Sequence, residues 1–99
     1  MAKNRNYEEY LYEKLQNPEY AELYLKEALK DEEPGVFLQA VKDVVNAQDF
    51  KMKDLAERAD LNYQNLYRML SPKGNPQLTS IKPVLAALGF NLTIESIKK

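Results

Sequence analysis

Between residues 62 and 73 the chain carries amide, phenol and cationic side chains whose types and spacing suit the reading of DNA. Glutamine and asparagine can pair in a bidentate way with adenine, and arginine can do so with guanine. Gln64 and Arg68 are four residues apart, so on a helix they lie on one face and are the strongest candidates for base contacts. The full set of candidate DNA contacts is Lys53, Asn62, Tyr63, Gln64, Asn65, Tyr67, Arg68 and Lys73.

Apolar residues around this series predict the elements that position it, a helix-turn-helix with helices at about 52–59 and 62–70. A supporting helix follows at about 80–88, where Thr79 or Ser80 provides the cap and Pro83 falls in the first turns. Gly89 ends this helix. The residues expected to face inward from the motif are Leu55, Ala56, Ala59, Leu61, Leu66, Met69 and Leu70.

Several of these candidates also have a purely structural interpretation. Asn62 is a good N-cap, and the cap alone explains its presence. Tyr67 borders the buried stripe, so we expect its ring to pack against the supporting helix rather than touch DNA. Lys53 is either a phosphate contact or a solvated helix residue. The turn at 73–75 either holds phosphate through its lysine and backbone N–H groups or is only a tight interhelical loop.

The rest of the chain predicts an all-α bundle of about five helices with a short C-terminal β-strand. Helical spacing places further helices at 7–15, from Pro18 to about 30, and after Gly35 to about 47. Asn17 would cap the second of these. Tyr7, Tyr10, Leu11 and Leu15 recur at helical spacing in the first helix. The expected buried stripe of the second helix is Tyr20, Tyr24, Leu25, Ala28 and Leu29, and the third helix is expected to pack through Phe37, Val41, Val44 and Val45.

After Gly89 the pattern alternates, with Phe90, Leu92 and Ile94 on one face, as in a half-buried strand. A lone strand in a helical chain leaves its backbone groups unpaired. Pairing with the same strand of a second copy would satisfy them. We therefore expect a two-fold homodimer, whose recognition helices suit a palindromic operator.

The segment LNYQNLYRMLSPKGNPQL, followed by VLAALGF, resembles the addiction-module antidote proteins, the HigA-like antitoxins of the lambda-repressor-like XRE/Cro helix-turn-helix family. The resemblance covers residues 34–94 and implies an antitoxin that neutralises a RelE/ParE-type toxin and represses their shared operon. Asp60 departs from the family's usual glycine in the motif turn, although Asp tolerates the left-handed conformation. The matching residues are Leu66, Tyr67, Arg68, Leu70, Ser71, Gly74, Asn75, Pro76 and Leu78.

Charge divides the chain into two parts. The segment at 1–33 is acidic, with five basic and nine acidic residues (net −4), and the domain at 34–99 has nine basic and six acidic residues (net +3). The basic part is the one expected to meet phosphates. The acidic helices either form a solvated back of one compact domain or dock on a basic ribonuclease toxin. Two other functions stay open, a prophage-type regulator without a toxin and an interaction module that has lost DNA binding.

Composition excludes several other classes. With no cysteine and no histidine, the chain lacks disulfides, thiol chemistry and the commonest metal ligand and general base. We expect neither an enzyme nor a cofactor or metal site. The start MAKNRNYEEY has no apolar signal core, and no apolar run approaches the roughly 20 residues that span a bilayer. A cytoplasmic location is therefore expected.

Overall fold

Six α-helices follow one another in the computed structural model, which describes residues 2–97 with side chains from residue 7 onward. The all-α prediction is confirmed, and each of the six helices overlaps one of the six predicted ranges, although the bundle was described as one of about five helices. None of the described helices is both long and apolar enough to cross a membrane. The helices are α1 (Ala2–Leu15), α2 (Pro18–Leu29), α3 (Pro34–Ala47), α4 (Met52–Arg58), α5 (Tyr63–Met69) and α6 (Leu78–Ala87).

Helix α3 is the centre of the fold. It packs against α1 and α2, which also pack against each other, while α4 packs against α5 and α6. The predicted inward residues Phe37, Val41, Val44 and Val45 are all buried, and each such side chain contributes about 1.5–3 kcal/mol when fully removed from water. No polar or charged residue is buried in the described part of the chain. The buried core therefore consists of apolar side chains.

The buried stripe of α2 differs from the prediction. It runs through Ala21 and Leu25, with Ala28 only half-buried, while Tyr20 and Leu29 keep 40% and 49% of their surface exposed. At about 100° of rotation per residue, Tyr20 lies about 120° from the centre of a stripe formed by Ala21 and Leu25, and Leu29 lies about 60° from it on the other side. The four residues at helical spacing in α1 also differ in burial: Leu11 and Leu15 are buried, whereas Tyr7 and Tyr10 are exposed.

Two helix starts illustrate one success and one failure of cap prediction. Asn17 caps α2 as expected, its Oδ1 accepting hydrogen bonds from the backbone N–H groups of Glu19 (2.9 Å) and Tyr20 (3.2 Å). Neither Thr79 nor Ser80 caps α6. The helix begins earlier because the carbonyl oxygen of Gln77 accepts the first helical bonds, and Pro83 consequently lies inside the helix rather than in its first turn.

The chain after α6 turns at Gly89, whose φ of 97° is the left-handed conformation expected of a helix-ending glycine. Phe90 and Leu92 pack partly buried against the core, and Ile94 is 96% exposed. Residues 90–97 form no strand in this single chain, so the predicted β-strand is not present here. Within residues 2–97 there is no other strand for it to pair with.

Candidate nucleic-acid interface

The two short helices α4 and α5, for which a helix-turn-helix was predicted, pack together through a buried apolar seam. Leu55, Ala56 and Leu66 are almost completely buried where α4 packs on α5. In the turn between them, the backbone N–H of Leu61 donates to the carbonyl oxygen of Ala56 at 2.8 Å. Asp60 has a φ of 57°, so it adopts the left-handed conformation predicted for it.

Asn62 caps α5, as predicted. Its Oδ1 accepts hydrogen bonds from the backbone N–H groups of Gln64 at 2.8 Å and Asn65 at 3.2 Å. Because α5 has only seven residues, these two bonds fix a large part of the helix that carries the candidate base contacts. With Oδ1 used in this way, Asn62 cannot at the same time offer both amide atoms to an adenine.

The outward face of α5 gathers most of the candidate contacts, because Leu66, Met69 and Leu70 take the inward face. Five predicted contact residues are exposed side by side on it, namely Tyr63, Gln64, Asn65, Tyr67 and Arg68.

Tyr67 does not follow the prediction that its ring packs against the supporting helix. The ring is 54% exposed and meets the ring of Tyr63 edge-on instead, with centroids 5.7 Å apart and planes at 66°. The reason lies in the helical rotation. Position 67 is four residues from position 63, so both rings stand at the edge of the buried stripe and face solvent.

Arg68 lies on the other flank of the same face, beside the loop that follows α5. Its Nη2 approaches Asn65 Oδ1 at 3.5 Å, and both residues, with Lys73, line an open depression of about 460 Å³. The fold thus brings together three of the candidate contacts. Lys53 is exposed on α4 and is not among the residues that line this depression.

The loop at 71–77 has a conformation that requires glycine at position 74. A Cβ on Gly74 would overlap the carbonyl oxygen of Met69, and the Gly74 N–H already donates to the carbonyl oxygen of Ser71 at 2.9 Å. This N–H group is therefore used within the turn, and phosphate binding by the rest of the turn at 73–75 stays a prediction. Lys73 remains the one charged group that the loop offers.

Among the described side chains, no carboxylate forms an ion pair with the cations of this region. Among the described side chains one ion pair forms, between Lys30 Nζ and Glu27 Oε2 at 3.3 Å on α2. Arg58 behaves differently from the other basic residues near the motif: its guanidinium lies 5.2 Å from the centroid of the Phe50 ring. Sequence reasoning did not find that contact, since the two residues are eight positions apart across the α3–α4 turn.

A second exposed surface lies on α1 and α2. Lys14 Nζ is 5.3 Å from the centroid of the Tyr10 ring and 5.9 Å from that of Tyr20, so one cation bridges aromatic rings of both helices. Behind them, Tyr24 Oη donates to Asp43 Oδ2 at 2.7 Å. Burial, and then this carboxylate, raise the pKa of Tyr24 above its ordinary value near 10.

Comparison with known proteins decides the family. The family model described as "probable addiction module antidote protein" matches residues 6–96, almost the whole chain. The chain belongs to this family. It is also 30% identical over 83 residues, 84% of either chain, to a protein of Haemophilus influenzae strain Rd described as uncharacterized. No solved structure matches the chain.

Membership in the antidote family implies a partner toxin, because an antidote acts by neutralising another component of its addiction module. The matched range contains the exposed face of α5, the depression beside Arg68, and the surface on α1 and α2 from Tyr7 onward. Among the described residues, no group of three or more acidic, cysteine or histidine side chains is arranged to hold a metal ion.

Proposed function

We propose that this chain is the antitoxin of a type II toxin–antitoxin module, a HigA-like member of the lambda-repressor-like XRE/Cro proteins. In this proposal it binds operator DNA as a dimer, represses its own operon and neutralises a RelE/ParE-type toxin. The observation that carries the DNA-binding part is the exposed face of α5, where Gln64 and Arg68 stand side by side on a short, capped helix.

Contacts to DNA divide into two kinds in this proposal. Gln64 and Arg68 read base edges in the major groove, where each bidentate contact is worth about 1–3 kcal/mol of discrimination. Lys73 and Lys53 contact phosphates, which position the protein without reading sequence. The shared depression of Arg68 and Lys73 supports this division, because a groove-bound α5 would bring the adjoining loop close to the backbone.

The dimer in this proposal forms through the chain that follows Gly89. Phe90 and Leu92 rest on the core, while Ile94 and, further on, Ile97 expose almost their whole apolar side chains. Exposed apolar residues at the end of an extended segment favour contact with another surface. Pairing of residues 90–94 with the same residues of a second copy would cover Ile94 and satisfy the backbone of both segments.

The toxin in this proposal binds the surface on α1 and α2. Exposed tyrosines are typical centres of protein interfaces, and Tyr10 and Tyr20 lie together around Lys14. The surrounding sequence is acidic, with a net charge of −4 over residues 1–33. A ribonuclease toxin needs a cationic surface to hold RNA, so its charge would complement this rim.

The decisive experiment for DNA binding is a titration of the purified protein against its own upstream promoter and a scrambled duplex at two salt concentrations. We expect a preference for the promoter and an affinity that falls steeply with salt, because each phosphate contact releases counterions. Gln64→Ala or Arg68→Ala should weaken promoter binding by about 1–3 kcal/mol, whereas Lys73→Ala should weaken both duplexes alike.

Lys26→Ala is the matched control for these variants, because Lys26 is an exposed cation on α2. It should leave DNA binding unchanged. Equal binding of promoter and scrambled duplex would contradict operator recognition and favour an interaction module. Folded Gln64 and Arg68 variants that bind the promoter normally would show that α5 is not the reading helix.

Toxin binding is tested by co-expressing the full chain with the protein encoded beside it and measuring their complex after purification. Tyr10→Ala combined with Tyr20→Ala should weaken the complex, while Tyr63→Ala, an exposed tyrosine on α5, should not. Point variants are preferable to removing residues 1–33, because α1 and α2 cover α3 and their loss would expose the core. A complex that is unaffected by the double change would place the toxin elsewhere.

A further inference from the structure

The exposed face of α5 has a polar flank and an aromatic flank, and contacts from Gln64 and Arg68 to bases do not explain the aromatic one. Arg68 and Asn65 make one flank polar, and the edge-on pair of Tyr63 and Tyr67 makes the other flank aromatic. At about 100° of rotation per residue, Gln64 lies between the two flanks, about 60° from Tyr67 and about 40° from Arg68.

Packing against the described residues leaves much of the surface of both tyrosines exposed. Tyr63 keeps 44% of its surface exposed although it contacts Tyr67, and the core already closes beneath them through Leu66 and Leu70. Large aromatic surfaces left in water represent apolar area that a ligand can cover. The rings also hold each other in place, so little side-chain freedom would be lost on binding.

The major groove offers one apolar group to such a surface, the 5-methyl group of thymine. Glutamine pairs with the N6 and N7 atoms of adenine, and the thymine paired with that adenine presents its methyl group in the same groove. A helix that places Gln64 on an adenine therefore brings the adjacent aromatic flank towards thymine methyl groups of the same or the next base pair.

We infer that Tyr63 and Tyr67 form an apolar contact for thymine methyl groups, so that the α5 face selects adenine–thymine pairs in duplex DNA beside the base read by Arg68. This inference rests on the proposed operator binding and adds the base composition that the operator must have. Tyr67 carries the larger share, because it is the more exposed ring and the nearer one to Gln64.

The test begins with selection of binding sites from a random duplex library, using the full-length protein. Selected duplexes are then made with thymine and with deoxyuridine, which lacks only the methyl group. For the unaltered protein, replacing one contacted thymine by deoxyuridine should weaken binding about four-fold, which corresponds to about 0.8 kcal/mol for one buried methyl group. Tyr67→Phe should keep this ratio, because the ring remains.

Tyr67→Ala should bring the ratio of thymine to deoxyuridine affinity close to one, and Val36→Ala, which shortens an exposed apolar side chain on α3, should not change it. Thermal melting of each variant confirms that it is folded. Selected sites without adenine–thymine pairs beside the base read by Arg68, or a ratio that Tyr67→Ala leaves unchanged, would overturn the inference while leaving operator binding intact. Failure to select any duplex would refute the proposed operator binding itself, and the inference with it. Tighter binding to single strands than to duplexes would assign the rings to base stacking instead and overturn it too.

Discussion

Replacing Asn62 by alanine should lower stability by about 1 kcal/mol, because the change removes the acceptor of two backbone N–H groups at 2.8 and 3.2 Å. In a chain of this size that corresponds to a fall in Tm of about 4–8 °C. Asn17 provides a matched control, since it caps α2 with bonds of 2.9 and 3.2 Å. Asn17→Ala should therefore lower Tm by a similar amount when both variants are followed by circular dichroism.

The two variants should differ in DNA binding. Asn62→Ala frays the helix that presents Gln64 and Arg68, and so should weaken promoter affinity, whereas Asn17→Ala should leave it unchanged. Asn62→Ser keeps a capping oxygen and should restore both Tm and affinity, because Oδ1 is already committed to the cap. An Asn62→Ala protein that melts like the unaltered chain would refute the capping argument. Restoration of Tm without affinity in Asn62→Ser would show that the amide itself touches DNA.

Three further changes test the fold. Leu66→Ala should cost about 2–5 kcal/mol in urea unfolding, because the side chain is fully buried between α4 and α5, and a smaller loss would mean that the seam closes over the cavity. Gly74→Ala should cost about 1–3 kcal/mol, since its Cβ overlaps the Met69 carbonyl oxygen; unchanged stability would show that the loop shifts freely. Tyr24→Phe should cost about 1 kcal/mol at pH 8 by removing the hydrogen bond to Asp43. Because the pKa of Tyr24 is raised in the folded protein, the protonated phenol contributes its full stability below pH 10, and this contribution is lost as the pH rises further. Urea melts should therefore show a smaller loss of stability at alkaline pH for the variant than for the unaltered chain. Equal losses would contradict this.

The sequence predicted the fold best where spacing alone decides burial. The inward positions of α3 and of the α4–α5 seam follow regular helical spacing, and Val41, Val44 and Leu66 are among those named correctly. The residues Leu38, Ala40 and Ala47 are also buried in α3 and were not named. The prediction failed for Tyr20 and Leu29 because hydrophobicity does not tell which of several apolar residues lies at the centre of a stripe. The small Ala21, which allows close helix packing, marks that centre.

The sequence predicted which candidate residues share the exposed face of α5, but not how their side chains are arranged on it. Helical spacing placed Gln64 and Arg68 on one face, and cap preference gave the role of Asn62. The pairing of Tyr63 with Tyr67 was missed, because a ring at the edge of a stripe can turn inward or outward with little change in spacing. The start of α6 was missed because a main-chain carbonyl, which every residue has, replaced the side-chain cap.

The near absence of ion pairs within the described side chains makes the salt dependence of binding easier to interpret for this protein. The single pair, Lys30 with Glu27, is exposed on both sides and contributes little to stability, and the core beneath it is apolar. Added salt should consequently leave the melting temperature almost unchanged. Any loss of DNA or partner binding in salt can then be attributed to charges at the contact itself, with no correction for a folding equilibrium that moves at the same time.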